Sequence, residues 1–167
     1  NPLLSPGDDD NAFDPHFWMD PLRVKTAVSK ITSQLGSQDT THVSTYKANQ
    51  TSYTQELEDL HLWSQEQLRD IPVARKVLIT SHDNLRYFAQ RYRFDVIGTI
   101  IQGTNTERGP TPSELANLED IITAQKVNAI FSETTISPQL TEMIAQETGA
   151  KVFELYSGSL GPKGSNA

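Results

Sequence analysis

The sequence predicts an α/β fold: a four-stranded parallel sheet flanked by helices, with a long bracing helix ahead of it. Three observations carry that reading. Short runs rich in apolar and β-branched residues occur at 76–81, 95–101, 129–133 and 151–156. Segments long enough for helices separate them, and strands alternating with helices imply right-handed crossovers and parallel pairing. Upstream, Val43, Tyr46, Gln50, Tyr53, Leu57, Leu60, Ser64 and Leu68 recur at steps of three and four, one face of a helix over residues 40–70.

In chain order, residues 1–11 contain proline, glycine and the acidic triplet Asp8, Asp9 and Asp10, and read as a solvated linker. The next stretch, Phe13-Asp-Pro-His-Phe-Trp-Met-Asp-Pro21, sets His16 between two Asp-Pro steps. Each proline fixes its own φ and drives the preceding residue out of the helical region, so the segment is stiff. Asp20 and Pro21 are an N-cap and a first helical residue. Leu22, Val24, Ala27, Val28, Ile31 and Leu35 continue that helix, and Gly36 is its expected stop. The long helix follows, and Pro72 is its expected end.

Beyond Pro72 the first strand runs into His82, and a helix is expected over 84–92. After the second strand, Thr111-Pro-Ser-Glu114 is a capping box opening a helix to about Lys126. Ser137-Pro138 opens another, closed by Gly149. In a parallel sheet, ligands gather at the carboxyl ends of the strands. His82, residues 102–109, Glu133 and Ser157-Gly-Ser159 lie there. Glu133 is open to three readings, a ligand, an acceptor behind a ligand or a salt-bridge partner, and the acceptor or structural role is favoured over the ligand. The stretch 102–109 matches neither Gly-rich phosphate fingerprint. His42, His61 and Trp63 on the long helix read as surface or packing residues.

Composition narrows the function. A net charge of −7 leaves no basic stripe to release phosphate counterions, which excludes nucleic acid as a partner. No cysteine is present, so a metal would bind through imidazole, carboxylate or carbonyl. No apolar run reaches the ~18 residues of a membrane span.

Five stretches, in order, resemble the metal-specific solute-binding proteins of bacterial ABC transporters for zinc and manganese. They are Asp-Pro-His-Phe-Trp-Met-Asp-Pro at 14–21, Thr-Ser-His-Asp-Asn-Leu-Arg-Tyr-Phe at 80–88, Gly-Thr-Asn-Thr-Glu-Arg-Gly-Pro-Thr-Pro-Ser at 103–113, Ile-Phe-Ser-Glu-Thr-Thr-Ile at 130–136, and Leu-Tyr-Ser-Gly-Ser-Leu-Gly-Pro at 155–162. The resemblance implies two α/β lobes joined by one long helix, with the metal between them. On it, residues 1–37 are a linker and the His16 motif from the end of the first lobe. Residues 38–72 are the linking helix and 73–167 the C-terminal lobe.

The resemblance makes His16 and His82 metal ligands. Histidine at the second position is the zinc-type choice, where manganese-type members typically carry glutamate. It finds no counterpart to the family's first histidine and places Gly158 where an aspartate ligand is usual. The usual terminal helix is also missing after Ala167, so the expectation is a piece of a larger receptor. The implied function is an extracytoplasmic, monomeric receptor, lipid-anchored in its full-length form, that captures Zn²⁺, with Mn²⁺ second, for a membrane permease. Imidazole donors agree with zinc, since manganese favours oxygen-rich sites. Two rivals stand beside it: a metal-dependent hydrolase with Glu133 as base, and an adhesive or assembly module using the long helix.

Overall fold

The structure is a computed structural model and describes residues 2–3, 13–102, 109–134 and 138–164. The acidic triplet, most of the 102–109 loop and Ser137 lie outside the described residues. Two compact units emerge: Phe17–Pro72, and a second made of the chain up to His16 with Val73 onward.

The first unit is a helical hairpin. Helix α1 spans Pro21–Gln38, capped by the Asp20 carboxylate, which accepts from the Leu22 N–H. It runs through Gly36 rather than stopping there. A Cβ at Gly36 would lie 3.5 Å from the Val43 side chain, ordinary contact, so the glycine sits where the returning chain passes. Asp39 ends the helix instead, leaving helical geometry while its N–H still bonds the Leu35 carbonyl. The Asp39 carboxylate then caps a 3₁₀ turn, Thr40–His42, by accepting from the Thr41 and His42 N–H groups. Helix α2, Val43–Leu68, follows. Its 26 residues reach about 39 Å at ~1.5 Å each, and it ends four residues before Pro72 in turns rather than at the proline. Lys25 and Glu58 form an ion pair between the two helices. Of the predicted stripe, only Leu57 and Ser64 are buried, and Tyr53 and Leu60 remain largely exposed.

The second unit is the sheet. Strands β1 (Val77–Thr80), β2 (Asp95–Thr99), β3 (Ala129–Glu133) and β4 (Lys151–Leu155) are all parallel, in the order β2-β1-β3-β4. The fold class read from the sequence is therefore the one observed. Helix α3 (Arg86–Tyr92) joins β1 to β2, α4 (Pro112–Gln125) joins β2 to β3, and α5 (Pro138–Thr148) joins β3 to β4. The Thr111–Glu114 capping box forms as predicted, with Pro112 beginning α4. Gly149, at φ 73°, closes α5 in the left-handed region that glycine enters at least cost.

The core is mostly isoleucine: Ile79, Ile100, Ile101, Ile122, Ile130 and Ile144, with Leu118 and Ala150. Branched side chains stiffen strands and pack well on a pleated surface. The register of β1 against β2 slips between Leu78 and Ile79, beside Gly98. A Cβ at Gly98 would stand 2.5 Å from Leu118 Cδ1 and 3.1 Å from Ile79 Cδ1. Glycine is there because α4 lies close on the sheet.

Strand β1 is central, so its carboxyl end is held from both sides. The Ser81 N–H bonds the Phe131 carbonyl at 3.0 Å, and the Ser81 carbonyl accepts from the Ile101 N–H at 2.9 Å. The next residue is His82.

Candidate metal centre

His82 sits in a tied turn. Its carbonyl accepts from the Asn84 N–H at 2.9 Å and from the Thr80 hydroxyl at 2.7 Å. That turn occupies residues 82–84, which is why α3 starts at Arg86 rather than at Asn84. His16 reaches the same place from the N-terminal segment. Asp14 and Pro15 prepare it: Asp14 Oδ1 accepts from the His16 N–H at 2.9 Å and pairs with His16 Nδ1 at 2.8 Å.

The two predicted ligands come together. His16 Nε2 and His82 Nε2 are 3.3 Å apart, with ring centroids at 5.1 Å and planes inclined by 67°. Each ring has a carboxylate behind it. Asp14 backs His16, and Glu133 meets His82 Nδ1. All four side chains are buried.

A carboxylate stands at each Nδ1, and the two Nε2 atoms face each other with donor and acceptor roles set by the tautomer. In the tautomer with both protons on Nδ1, two lone pairs face each other, an arrangement that a cation between them stabilises. Two nitrogens at about 2.0–2.1 Å from a tetrahedral Zn²⁺ stand about 3.3–3.4 Å apart. The separation observed is the edge of that tetrahedron, so these residues fit the ion.

Glu133 is itself held. The Ser81 hydroxyl donates to it at 3.2 Å, Ser157 donates to its other oxygen, and its own N–H bonds Ser81 Oγ at 3.2 Å. Burial pushes the Glu133 carboxyl up, but hydrogen bonds from His82, Ser157 and Ser81 outweigh it and leave the group below its usual value. It stays a carboxylate, oriented toward His82. Asp83 behaves oppositely. Burial raises it to about 6, with Arg86 opposing and Asp14 adding.

Gly158 lies in the exposed loop after β4 and brings no carboxylate; its neighbours Ser157 and Ser159 bond Glu133 and Thr134. Among the described residues no group of three or more His, Cys, Asp and Glu is placed to hold an ion. The described site is thus two imidazoles with a carboxylate behind each.

Sequence reasoning missed Asp14 and Tyr87. The Tyr87 hydroxyl donates to the Asp14 carbonyl at 2.9 Å. Asp14 had a signal, standing two residues before a histidine across a proline. Tyr87 had none, since it is 73 positions from Asp14.

The carboxyl end of this parallel sheet thus carries two facing imidazoles, each with a carboxylate at its Nδ1. The chain belongs to the family of the zinc-uptake complex component A, periplasmic, which it matches over residues 3–167. It is 29% identical over 163 residues to the manganese-binding lipoprotein MntA of Halalkalibacterium halodurans, covering 97% of this chain and 54% of that protein. The chain thus spans about half the length of that relative. Two solved structures share the fold. The laminin-binding protein Lmb of Streptococcus agalactiae, described as bifunctional with adhesin and metal-transporting activity, superposes with a TM-score of 0.87 at 26% identity, over 99% of this chain and 61% of that one. The structure of ZnuA superposes at 0.83 and 29% identity, over 94% and 58%.

Proposed function

We propose that this chain is part of an extracytoplasmic receptor that captures Zn²⁺, with Mn²⁺ as second choice, and hands it to the membrane permease of an ABC importer. His16 and His82 are its metal ligands here. The observation that carries the reading is the 3.3 Å approach of two Nε2 atoms, each turned outward by a carboxylate on its Nδ1.

Zinc is favoured over manganese because both donors are imidazoles, and manganese prefers oxygen. Family membership supports a receptor rather than an enzyme. Capture needs a shell that can open, and a half-shell on one unit suits it. The remaining donors come from the rest of the receptor, with residues 38–72 as the link between its lobes and 73–167 as the C-terminal lobe. Calorimetry with Zn²⁺ and Mn²⁺ tests the reading. Zinc should bind more tightly, and His82→Glu should narrow the gap by supplying a hard oxygen. Manganese preferred by the unmodified protein would reverse the assignment.

A further inference from the structure

Two ligands contributed by distant segments are useful only if something sets the distance between them. We propose that Tyr87 is the positioning residue that does so; this rests on the reading of His16 and His82 as metal ligands. Tyr87 is the largest fully buried side chain among the described residues and comes from α3, whose first residue is four positions past His82. Its hydroxyl lies between two backbone groups of the N-terminal segment. It accepts from the Leu3 N–H at 3.0 Å and donates to the Asp14 carbonyl at 2.9 Å. Those backbones are also bonded to each other, the Asp14 N–H to the Leu3 carbonyl at 2.9 Å.

One hydroxyl thus ties the peptide before His16 to the helix that follows His82. Asp14 is doubly engaged: its carbonyl is held by Tyr87 and its carboxylate holds the His16 ring. The chain of contacts runs from α3 through Tyr87 and Asp14 to His16 Nδ1, and so sets where His16 Nε2 stands relative to His82. Without the hydroxyl, a half-buried N–H and a buried carbonyl lose a partner, and the segment carrying His16 is free to shift. Metal affinity falls steeply when supporting groups around a ligand are lost.

The test is a double-mutant cycle in the full-length protein, with Zn²⁺ titrated against a chromophoric chelator. Tyr87→Phe keeps the ring and its packing and should weaken zinc binding about tenfold. The same substitution in a His16→Ala background should cost less than about twofold, because the hydroxyl acts through His16. An equal loss in both backgrounds would make Tyr87 a packing residue only, and no loss in either would remove it from the site; both overturn the proposal. Should His16→Ala leave zinc binding too weak to measure, the visible spectrum of the Co²⁺-loaded protein decides. A changed ligand-field band in Tyr87→Phe supports positioning, and an unchanged one overturns it. His16→Ala and His82→Ala measured alone separate the two readings. Unaltered zinc binding in both would remove the metal site itself and Tyr87 with it. Weakened binding there with none in Tyr87→Phe would remove only Tyr87.

Discussion

Two regions of this molecule pair a histidine with an aspartate in nearly the same way, and among the described residues only one of the two pairs is buried against a second imidazole. At the sheet's carboxyl end His16 Nδ1 meets Asp14 at 2.8 Å. At the hairpin turn His42 Nδ1 meets Asp39 at 2.7 Å, and the Tyr46 hydroxyl donates to the same carboxylate at 2.8 Å. The difference lies in what surrounds the pair. The Asp14 side chain is fully buried and His16 nearly so, whereas His42 is 61% exposed. His16 also faces a second imidazole, and no such partner faces His42 among the described residues. A carboxylate-backed histidine is a turn device where it is solvated, at His42; at His16 the same pair is buried against a second imidazole.

The sharpest way to break that comparison is to remove both carboxylates in turn. Asp14→Ala should weaken zinc binding about 10–100-fold, since the His16 ring loses its orienting acceptor. Asp39→Ala should leave affinity within about twofold while lowering thermal stability, because it also caps the Thr40–His42 turn. Equal effects on zinc would erase the distinction.

Packing separates the two units as well, and their glycines read it out. Gly98→Ala should destabilise the sheet unit by about 1–3 kcal/mol, because Leu118 and Ile79 are buried and have little room to move. Gly36→Ala, in a helix with only ordinary contact to Val43, should stabilise the hairpin by about 0.5–1 kcal/mol. Urea unfolding of each variant checks the opposite signs.

The last effect is in pH. Asp83 takes up its proton more readily folded than unfolded, with its folded value raised to about 6. The folded state therefore gains stability from this group as pH falls from about 6 toward 4, and loses it on the way back up. Asp39 is shifted the other way, chiefly by hydrogen bonds from Tyr46 and His42. Its contribution is present above its ordinary value of 3.8 and is lost as pH falls through that region. Thermal melts in chelator between about pH 4 and 7 should show the Asp83 slope vanish in Asp83→Asn and persist in Asp39→Asn.

Much of this fold is written in near neighbours. Asp20-Pro21, Thr111 through Glu114, and Gly149 mark helix ends because a cap needs only residues within one turn. The alternation of strand and helix over 76–156 determined a parallel sheet, since short crossovers leave few other arrangements. His16 and His82 were visible as candidates from their stiff and strand-terminal settings. What the sequence could not determine is anything set by packing between distant segments. The order β2-β1-β3-β4, the close approach at Gly98, and the passage of α1 through Gly36 to the cap at Asp39 all depend on which surfaces meet. The same holds for the site's supports. Glu133 behind His82 and Tyr87 behind Asp14 are joined by bonds that span 51 and 73 positions, and only the folded chain brings such groups within hydrogen-bond reach.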